Sequence, residues 1–462
     1  MKRKYKLLLI NPQNQHRKGF TLSITSVYPP LSLGVIAALT PKHWNTEILD
    51  ENFERFEDLP DISASLVGIT AFTSNAYRAY EISKYFRKRN IPVVLGGIHA
   101  TMRAKEAAKY VDVVFKGEAE NLWPQLINDF ENSNLKAEYE GGRPSMDKVP
   151  IARHDLFHPS YLFNSIQTTR GCPYQCDFCS VHQFNGTLHR LRPVNDILDE
   201  IEHLPDKLLG FIDDNFLGYS KKSREHTYKI LEGMIERGIK KEWFIQASIN
   251  VADDAKFLKL ASKAGCREVL IGVESENTNQ LKQSNKLHNA KISPNLFKKK
   301  FRKIRKNGIA VLGAYIFGMD GDTKKDLFQR LKFIKKSGVD VIQATILTPY
   351  PGTELFEKMN SENRIYKNNF PKDWQHYHAE EVVFKPDNMT PEELECIMYE
   401  IWHKVYNKRF IRMLFIKSLF VLKNIRSAYW AYAGNWNYRR ITFEKSGLNP
   451  DKHPAKQHIR KY

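Results

Sequence analysis

The chain has 462 residues, 42% of them hydrophobic and 12% aromatic, and its 71 Lys and Arg against 52 Asp and Glu leave a formal net charge of +19. That length serves two or three globular domains, each with its own core. Crossing a bilayer takes roughly 20 apolar residues, but Leu7–Ile10 stops at Asn11-Pro12, too short for a signal core, and the late run Met413–Leu422 is broken by Lys417.

From the N-terminus, short apolar strands alternate with helical spacing, the pattern of a doubly wound parallel α/β sheet. Strands are expected at Tyr5–Ile10, Thr46–Leu49, Leu66–Ala71, Val93–Leu95 and Val111–Phe115, with helices over Leu31–Leu39, Asn75–Arg89 and Met102–Tyr110. Ligands of such sheets sit beyond the carboxyl ends of the strands. Those ends carry Asn11-Pro12, Asp50-Glu51-Asn52, Thr73-Ser74-Asn75, Gly96-Gly97 and Gly117-Glu118. Gly96 and Gly97 suit either an ordinary turn or close passage of a ligand along the backbone.

Residues 141–164, with Pro144, Pro150 and Pro159, read as a connection. A second strand and helix series follows, with strands expected at Ser165–Thr168, Leu209–Ile212, Trp243–Ala247, Glu268–Ile271, Val311–Phe317 and Val341–Leu347. Just after the first of them, the segment Thr169–Ser180 holds Cys172, Cys176 and Cys179, three of the five cysteines. A [4Fe–4S] cluster normally takes four thiolates, so three leave one iron open to a substrate or cofactor. Zinc closed by His182 is the competing reading. Three clustered cysteines cannot all form disulfides. A reducing cytoplasm suits such a site, with Cys266 and Cys396 as ordinary thiols.

The Cys-x3-Cys-x2-Cys spacing, with Phe178 before the last cysteine, resembles the signature of the radical S-adenosylmethionine (SAM) enzymes. Tyr28-Pro29-Pro30-Leu31-Ser32-Leu33-Gly34, Gly68-Ile69-Thr70-Ala71-Phe72-Thr73-Ser74 and Val94-Leu95-Gly96-Gly97-Ile98-His99-Ala100 resemble the cobalamin-binding region that precedes this core in the cobalamin-dependent branch. The resemblance implies a Rossmann-like cobalamin domain over 1–140, a linker over 141–164, a partial (β/α)6 radical SAM core over 165–385 and a mainly helical region over 386–462.

It also implies three cofactors: a [4Fe–4S] cluster on Cys172, Cys176 and Cys179, SAM on the open iron, and cobalamin near Ser74, Gly96 and Gly97. Asp213 and Asp214 stand where the family contacts the SAM amino group, an Asp-rich helix-capping turn being the bland alternative. Gln246, Ser248 and Glu274, at two later strand ends, are expected to meet the ribose and carboxylate, Glu274 being the ribose candidate. Arg190-Leu191-Arg192-Pro193 either meets the SAM carboxylate or steadies the cysteine loop. His16 stands where cobalamin proteins place a lower cobalt ligand, but Asn14 replaces the Asp that would orient it; the alternative is a polar loop residue. Tyr174, His182 and His189 lie near the cysteines without an assigned role.

The implied reaction starts when an external donor such as flavodoxin or ferredoxin reduces the cluster, which cleaves SAM to a 5′-deoxyadenosyl radical. That radical abstracts hydrogen from an unactivated carbon, which takes a methyl group from methylcobalamin. Cyclisation or rearrangement is the alternative, and a cofactor-binding sensor that fails to cleave SAM is a third. An RNA-modifying member would carry a further N-terminal cysteine set, and residues 1–171 have none, so nucleic acid is not the expected partner. Toward the C-terminus, Thr390-Pro391-Glu392-Glu393 opens a helix with a capping Thr and a first-turn Pro. Phe410–Trp436 mixes aromatics with Lys and Arg. It reads as a cap over the barrel mouth or as an amphipathic contact with the inner membrane face, the latter suiting a lipid-like or tetrapyrrole-like small-molecule substrate.

Overall fold

Leu7, Leu8, Leu9 and Ile10 are all buried, as a strand covered on both faces requires. The computed structural model describes residues 5–14, 28–58, 62–205 and 208–445, so the expectation for His16 lies outside the described residues. The first sheet consists of β1 (Tyr5–Asn11), β2 (Trp44–Asp50), β3 (Leu66–Thr70), β4 (Val93–Gly96), β5 (Val113–Lys116) and β6 (Glu138–Glu140). It is parallel throughout, in the order β2-β1-β3-β4-β5-β6. Alternate side chains point to opposite layers. Leu8, Ile10 and Val67 pack with Ile82 and Phe86 of helix Ala76–Arg87, whereas Leu7, Leu9 and Leu66 pack with Leu33 and Leu126 of helices Leu31–Leu39 and Trp123–Glu131. The strand order reverses between β1 and β3, which makes their carboxyl ends the crevice for a ligand.

The expected strands form with ends shifted by a few residues. Strand β6 carries no strand signal because only Tyr139 points inward, between exposed Glu138 and Glu140. The expected helix Met102–Tyr110 is instead split into Ile98–Met102 and Ala104–Ala107 by Arg103, whose backbone leaves the helical region. Residues 141–164 are packed: Met146, Val149 and Ala152 lie on Leu31 and Val35.

The chain continues through β7 (Phe163–Ile166) and a short antiparallel pair, β8 (Thr169–Arg170) with β9 (Arg190–Leu191). It then forms β10 (Leu208–Phe211), β11 (Trp243–Ala247), β12 (Cys266–Glu274), β13 (Ala310–Phe317) and β14 (Val341–Ile346). The second sheet takes β7 and β10 to β14 in chain order, all parallel. Strictly sequential order with a helix between neighbours is that of an open (β/α)6 barrel.

An open barrel leaves an edge, and unpaired strand edges need cover. At β14, Tyr406 Oη accepts from Ala344 N (3.1 Å) and donates to Ile342 O (3.1 Å), while Trp402 Nε1 donates to Ala344 O (2.9 Å). Both residues come from the end of helix Pro391–Val405, which opens at the expected Thr390 cap with Glu393 completing a capping box. The following helices, Lys408–Leu422 and Ile425–Lys445, correct the expectation of a cap over the mouth. Leu422, Ala428 and Ala431 pack on Ala310 and Val341, at the starts of β13 and β14, and a Cβ on Gly308, in the turn entering β13, would come 3.3 Å from Asn424 Nδ2. This hairpin closes the base of the barrel, so the strand ends that carry chemistry stay clear of it.

At those ends Arg330, 0% exposed, donates to Asp322, Glu276, Ser275, Gln280 and the Ile316 carbonyl, joining the turns after β12 and β13. Arg330→Met strands two carboxylates in a dry site, and urea unfolding should show a loss of about 3–5 kcal/mol.

Candidate active site at the strand ends

The cysteine loop leaves β7 through Thr168 and Thr169, and both are held by one carboxylate. Asp213, at the end of β10 and fully buried, accepts from Thr168 N (3.0 Å), Thr168 Oγ1 (2.9 Å), Thr169 Oγ1 (2.7 Å) and Thr169 N through Oδ1. Burial outweighs these donors and pushes its carboxyl up to about 6, and its Oδ2 has no hydrogen-bond partner. Asp214 is placed differently. Its Oδ2 accepts from Asn185 (3.1 Å), and it lies close enough to Cys172 and Cys179 for its charge to raise both thiols. Asp213 thus shapes the loop while Asp214 faces the thiols. Gly171 adopts φ +98°, and a Cβ there would collide with the Leu188 carbonyl, so only glycine lets β8 turn into the loop beside β9.

Cys176 is buried and Cys172 and Cys179 are half-buried. Burial pushes the Cys176 thiol up to about 11 and that of Cys179 up to about 12. Such thiols give up their protons only against a compensating positive charge, which iron supplies, so the donor set fits an iron–sulfur cluster. Among the described residues no three His, Cys, Asp or Glu side chains gather as they would around one metal ion. His182 Nε2 meets Gln183 Nε2 (3.2 Å), and a cluster offers each thiolate its own iron.

The later strand ends converge on the same loop. Ser248, after β11, meets Asn215 Nδ2 (3.2 Å) and Tyr219 Oη (3.1 Å), and Tyr219 Oη lies 3.7 Å from Cys172 Sγ. Gln246 is half-buried at the end of the same strand. Glu274 ends β12 with φ +65° at a register shift against β13, a strained backbone of the kind found at functional sites. Asn289 steadies the bulge by donating to the carbonyls of Gly272 (2.7 Å) and Val273 (3.2 Å).

Glu274 is ion-paired with Lys286, which the sequence does not single out. Its signal is indirect: a Cβ on Gly272 would lie 2.5 Å from Glu274 Oε1 and 2.9 Å from Lys286 Nζ, so the glycine makes room for the pair. The charge of Lys286 in turn favours the thiolates of Cys176 and Cys179. Tyr315, by contrast, is a buried packing residue whose hydroxyl meets Ser337 (3.3 Å).

On the first sheet, Ser74 is half-exposed after β3, beside Phe72, which is 67% exposed. Asn75 donates to Pro12 O (2.9 Å) and leaves a buried Oδ1 without a partner, an acceptor available to a ligand in the crevice. Gly97 has φ +94° and a Cβ there would lie 2.9 Å from Ala71 O, so its glycine is required by the neighbouring strand itself; Gly96 has nothing closer than 3.9 Å. Asp50 and Glu51 are committed to structure: Asp50 accepts from Tyr161 and Asn11, and Glu51 pairs with Arg78.

Glu118 and Glu120, just past β5, bring the two sheets together. Arg170, two residues before Cys172, donates to Glu118 (2.7 Å) and Glu120 (2.8 Å), and Arg190 of β9 donates to Glu118 (2.8 Å). Arg192 pairs with buried Glu200, which also meets His154 (2.6 Å). The Arg190-Leu191-Arg192 stretch therefore steadies the cysteine loop. The site faces the ligand-binding end of the first sheet.

The chain matches the family model described as the radical SAM superfamily over residues 166–334 and that of the B12 binding domain over residues 17–127. It is 31% identical over 399 residues to the bacteriochlorophyllide d C-8(2)-methyltransferase of Chlorobaculum tepidum, covering 81% of this chain and 85% of that one. It is 27% identical to the hopanoid C-2 methylase of Rhodopseudomonas palustris (76% and 68% covered) and 25% identical to the anaerobic magnesium-protoporphyrin IX monomethyl ester cyclase of Rubrivivax gelatinosus (89% and 80% covered). Its fold matches that of the radical SAM methyltransferase TsrM from Kitasatospora setae, solved with cobalamin and a [4Fe–4S] cluster, at a TM-score of 0.67 and 17% identity over 87% of this chain and 89% of that one. Glu118→Ala should leave two guanidinium groups under-paired at a buried junction, costing about 3 kcal/mol in urea unfolding. It should also lower the iron retained after reconstitution.

Proposed function

This chain belongs to the cobalamin-dependent radical SAM enzymes, and from that premise we propose that it methylates an unactivated carbon of a lipid-like or tetrapyrrole-like small molecule. The observation that carries this reading is the junction of Glu118 and Glu120 with Arg170 and Arg190, which turns the ligand end of the first sheet toward the cysteine loop. A substrate held between them would lie beside both cofactors.

In this reading Cys172, Cys176 and Cys179 hold the cluster and leave one iron for SAM. With the cofactors bound, the cluster supplies the electron that splits SAM, and cobalamin carries the methyl group to the substrate carbon. Asp214 accepts from the SAM ammonium; burial pushes its carboxyl up to about 6, and an adjacent cation restores its charge. Glu274, ion-paired with Lys286, accepts from ribose hydroxyls, and Gln246 and Ser248 serve the ribose and carboxylate. Asp213 acts on the same site through Thr168 and Thr169. Ser74, Gly96 and Gly97 border cobalamin. An external flavodoxin or ferredoxin supplies electrons in the cytoplasm. The relation to a cyclase favours one second reading, ring formation with the same cofactors.

Anaerobically reconstituted enzyme, given hydroxocobalamin, a low-potential reductant and SAM labelled in its methyl group, should release 5′-deoxyadenosine and place label in one compound of a tetrapyrrole or hopanoid pool. An unlabelled, ring-closed product would overturn methylation in favour of cyclisation, and failure to retain cobalamin would remove both. Cys176→Ala should drop 5′-deoxyadenosine to background; its persistence would sink the cluster assignment.

A further inference from the structure

We propose that the hairpin of helices Lys408–Leu422 and Ile425–Lys445 docks the enzyme, by the base of its barrel, onto an anionic phospholipid surface. Helix Lys408–Leu422 has two apolar faces. One, with Ile411, Leu414 and Leu422, is buried against the barrel. The other is open: Met413, Ile416 and Phe420, spaced i, i+3 and i+7, form one outer stripe, and Ile425 and Tyr429 in the first turns of the next helix are exposed as well. Phe420 is 78%, Ile425 73% and Tyr429 65% exposed.

The hairpin's own charge has one sign, with Glu242 of the barrel base pairing one of its cations, Arg426. From Ile401 to Phe443 the chain contains no Asp or Glu, yet it carries nine Lys and Arg. Arg412, Lys417 and Lys423 are exposed beside the stripe. A cavity of about 480 Å³ opens next to Phe420 and Val421 and is walled by Lys298, Lys336 and Lys417, a place for a phosphate headgroup. An apolar ridge inside a basic field is the composition of interfacial anchors, which bury apolar side chains and attract anionic lipid together. A second copy would set this positive field against itself at short range, which charge repulsion opposes. Among the described residues no helix is long and apolar enough to cross a membrane, so the contact is peripheral.

The hairpin lies where the chain enters the strands, whereas the cysteine loop lies where it leaves them. Docking therefore anchors the enzyme with its site facing away from the bilayer, so the hairpin is an anchor and not a passage for substrate. This inference goes beyond the methylation reading and does not depend on it.

The full-length protein is sedimented with sucrose-loaded vesicles of phosphatidylcholine alone or with a third phosphatidylglycerol. Binding to the anionic vesicles should be on the order of tenfold tighter and should weaken as salt rises. Phe420→Glu with Ile425→Glu should abolish it, and Lys417→Gln with Lys423→Gln should weaken it with the apolar stripe intact. Retained 5′-deoxyadenosine formation, where the enzyme shows it, and unchanged thermal melting establish that the variants fold. Absence of wild-type binding, or equal binding by wild type and both variants, overturns the proposal. So does dimerisation that the Glu variant abolishes without vesicle binding, since the stripe would then be an interface between copies.

Discussion

Glu118 meets two guanidinium groups at a junction where its side chain is 3% exposed. Charges so far from water are tolerated only when their partners and hydrogen bonds are complete. The pairing therefore holds in essentially one geometry, and the relative placement of the two sheets follows from it. Arg170 is part of β8, two residues from the first cysteine, and Arg190 is its partner in β9. The carboxylate thus fixes the two ends of the cysteine loop and the end of the first sheet in a single act. An apolar contact of similar area would hold the parts together without fixing their register, because burial has no direction.

A second constraint comes from leaving the barrel open. Six strands without closure expose the polar edge of β14, and the chain covers it with Tyr406 and Trp402 while plugging the base with the helix hairpin. The mouth is left to the first sheet. The C-terminal helices could not cover both ends, and the edge and base take precedence because uncovered backbone groups there have no other partners.

The two carboxylates after β10 show how far sequence reading carries. Their position after a buried strand marks them as a site, but two adjacent Asp residues look alike in sequence. In the fold, Asp213 turns inward to the amides and hydroxyls of Thr168 and Thr169, whereas Asp214 meets Asn185 within range of the thiols' charge. Lys286 lacks any local mark, since a lysine between loops is normally solvated. It becomes part of the site only because Gly272 leaves space and Glu274 turns to meet it. Strand β6 was illegible for the opposite reason: one inward Tyr139 gives no periodicity. The polar strand ends Asp50 and Glu51, which looked available for a ligand, are consumed by Tyr161 and Arg78 from distant parts of the chain.

The sequence by itself determined the thiolate spacing and the two alternating series of strands and helices. Both are local: ligand spacing is set within eight residues, and strand and helix periodicity within one element. Only the tertiary structure decided which of the two Asp residues faces the cysteines, which charges sit beside them, how the two sheets face one another and which end of the barrel the last helices close. Those depend on groups separated by many tens of residues, brought together by burial and by the requirement that every buried charge find a partner.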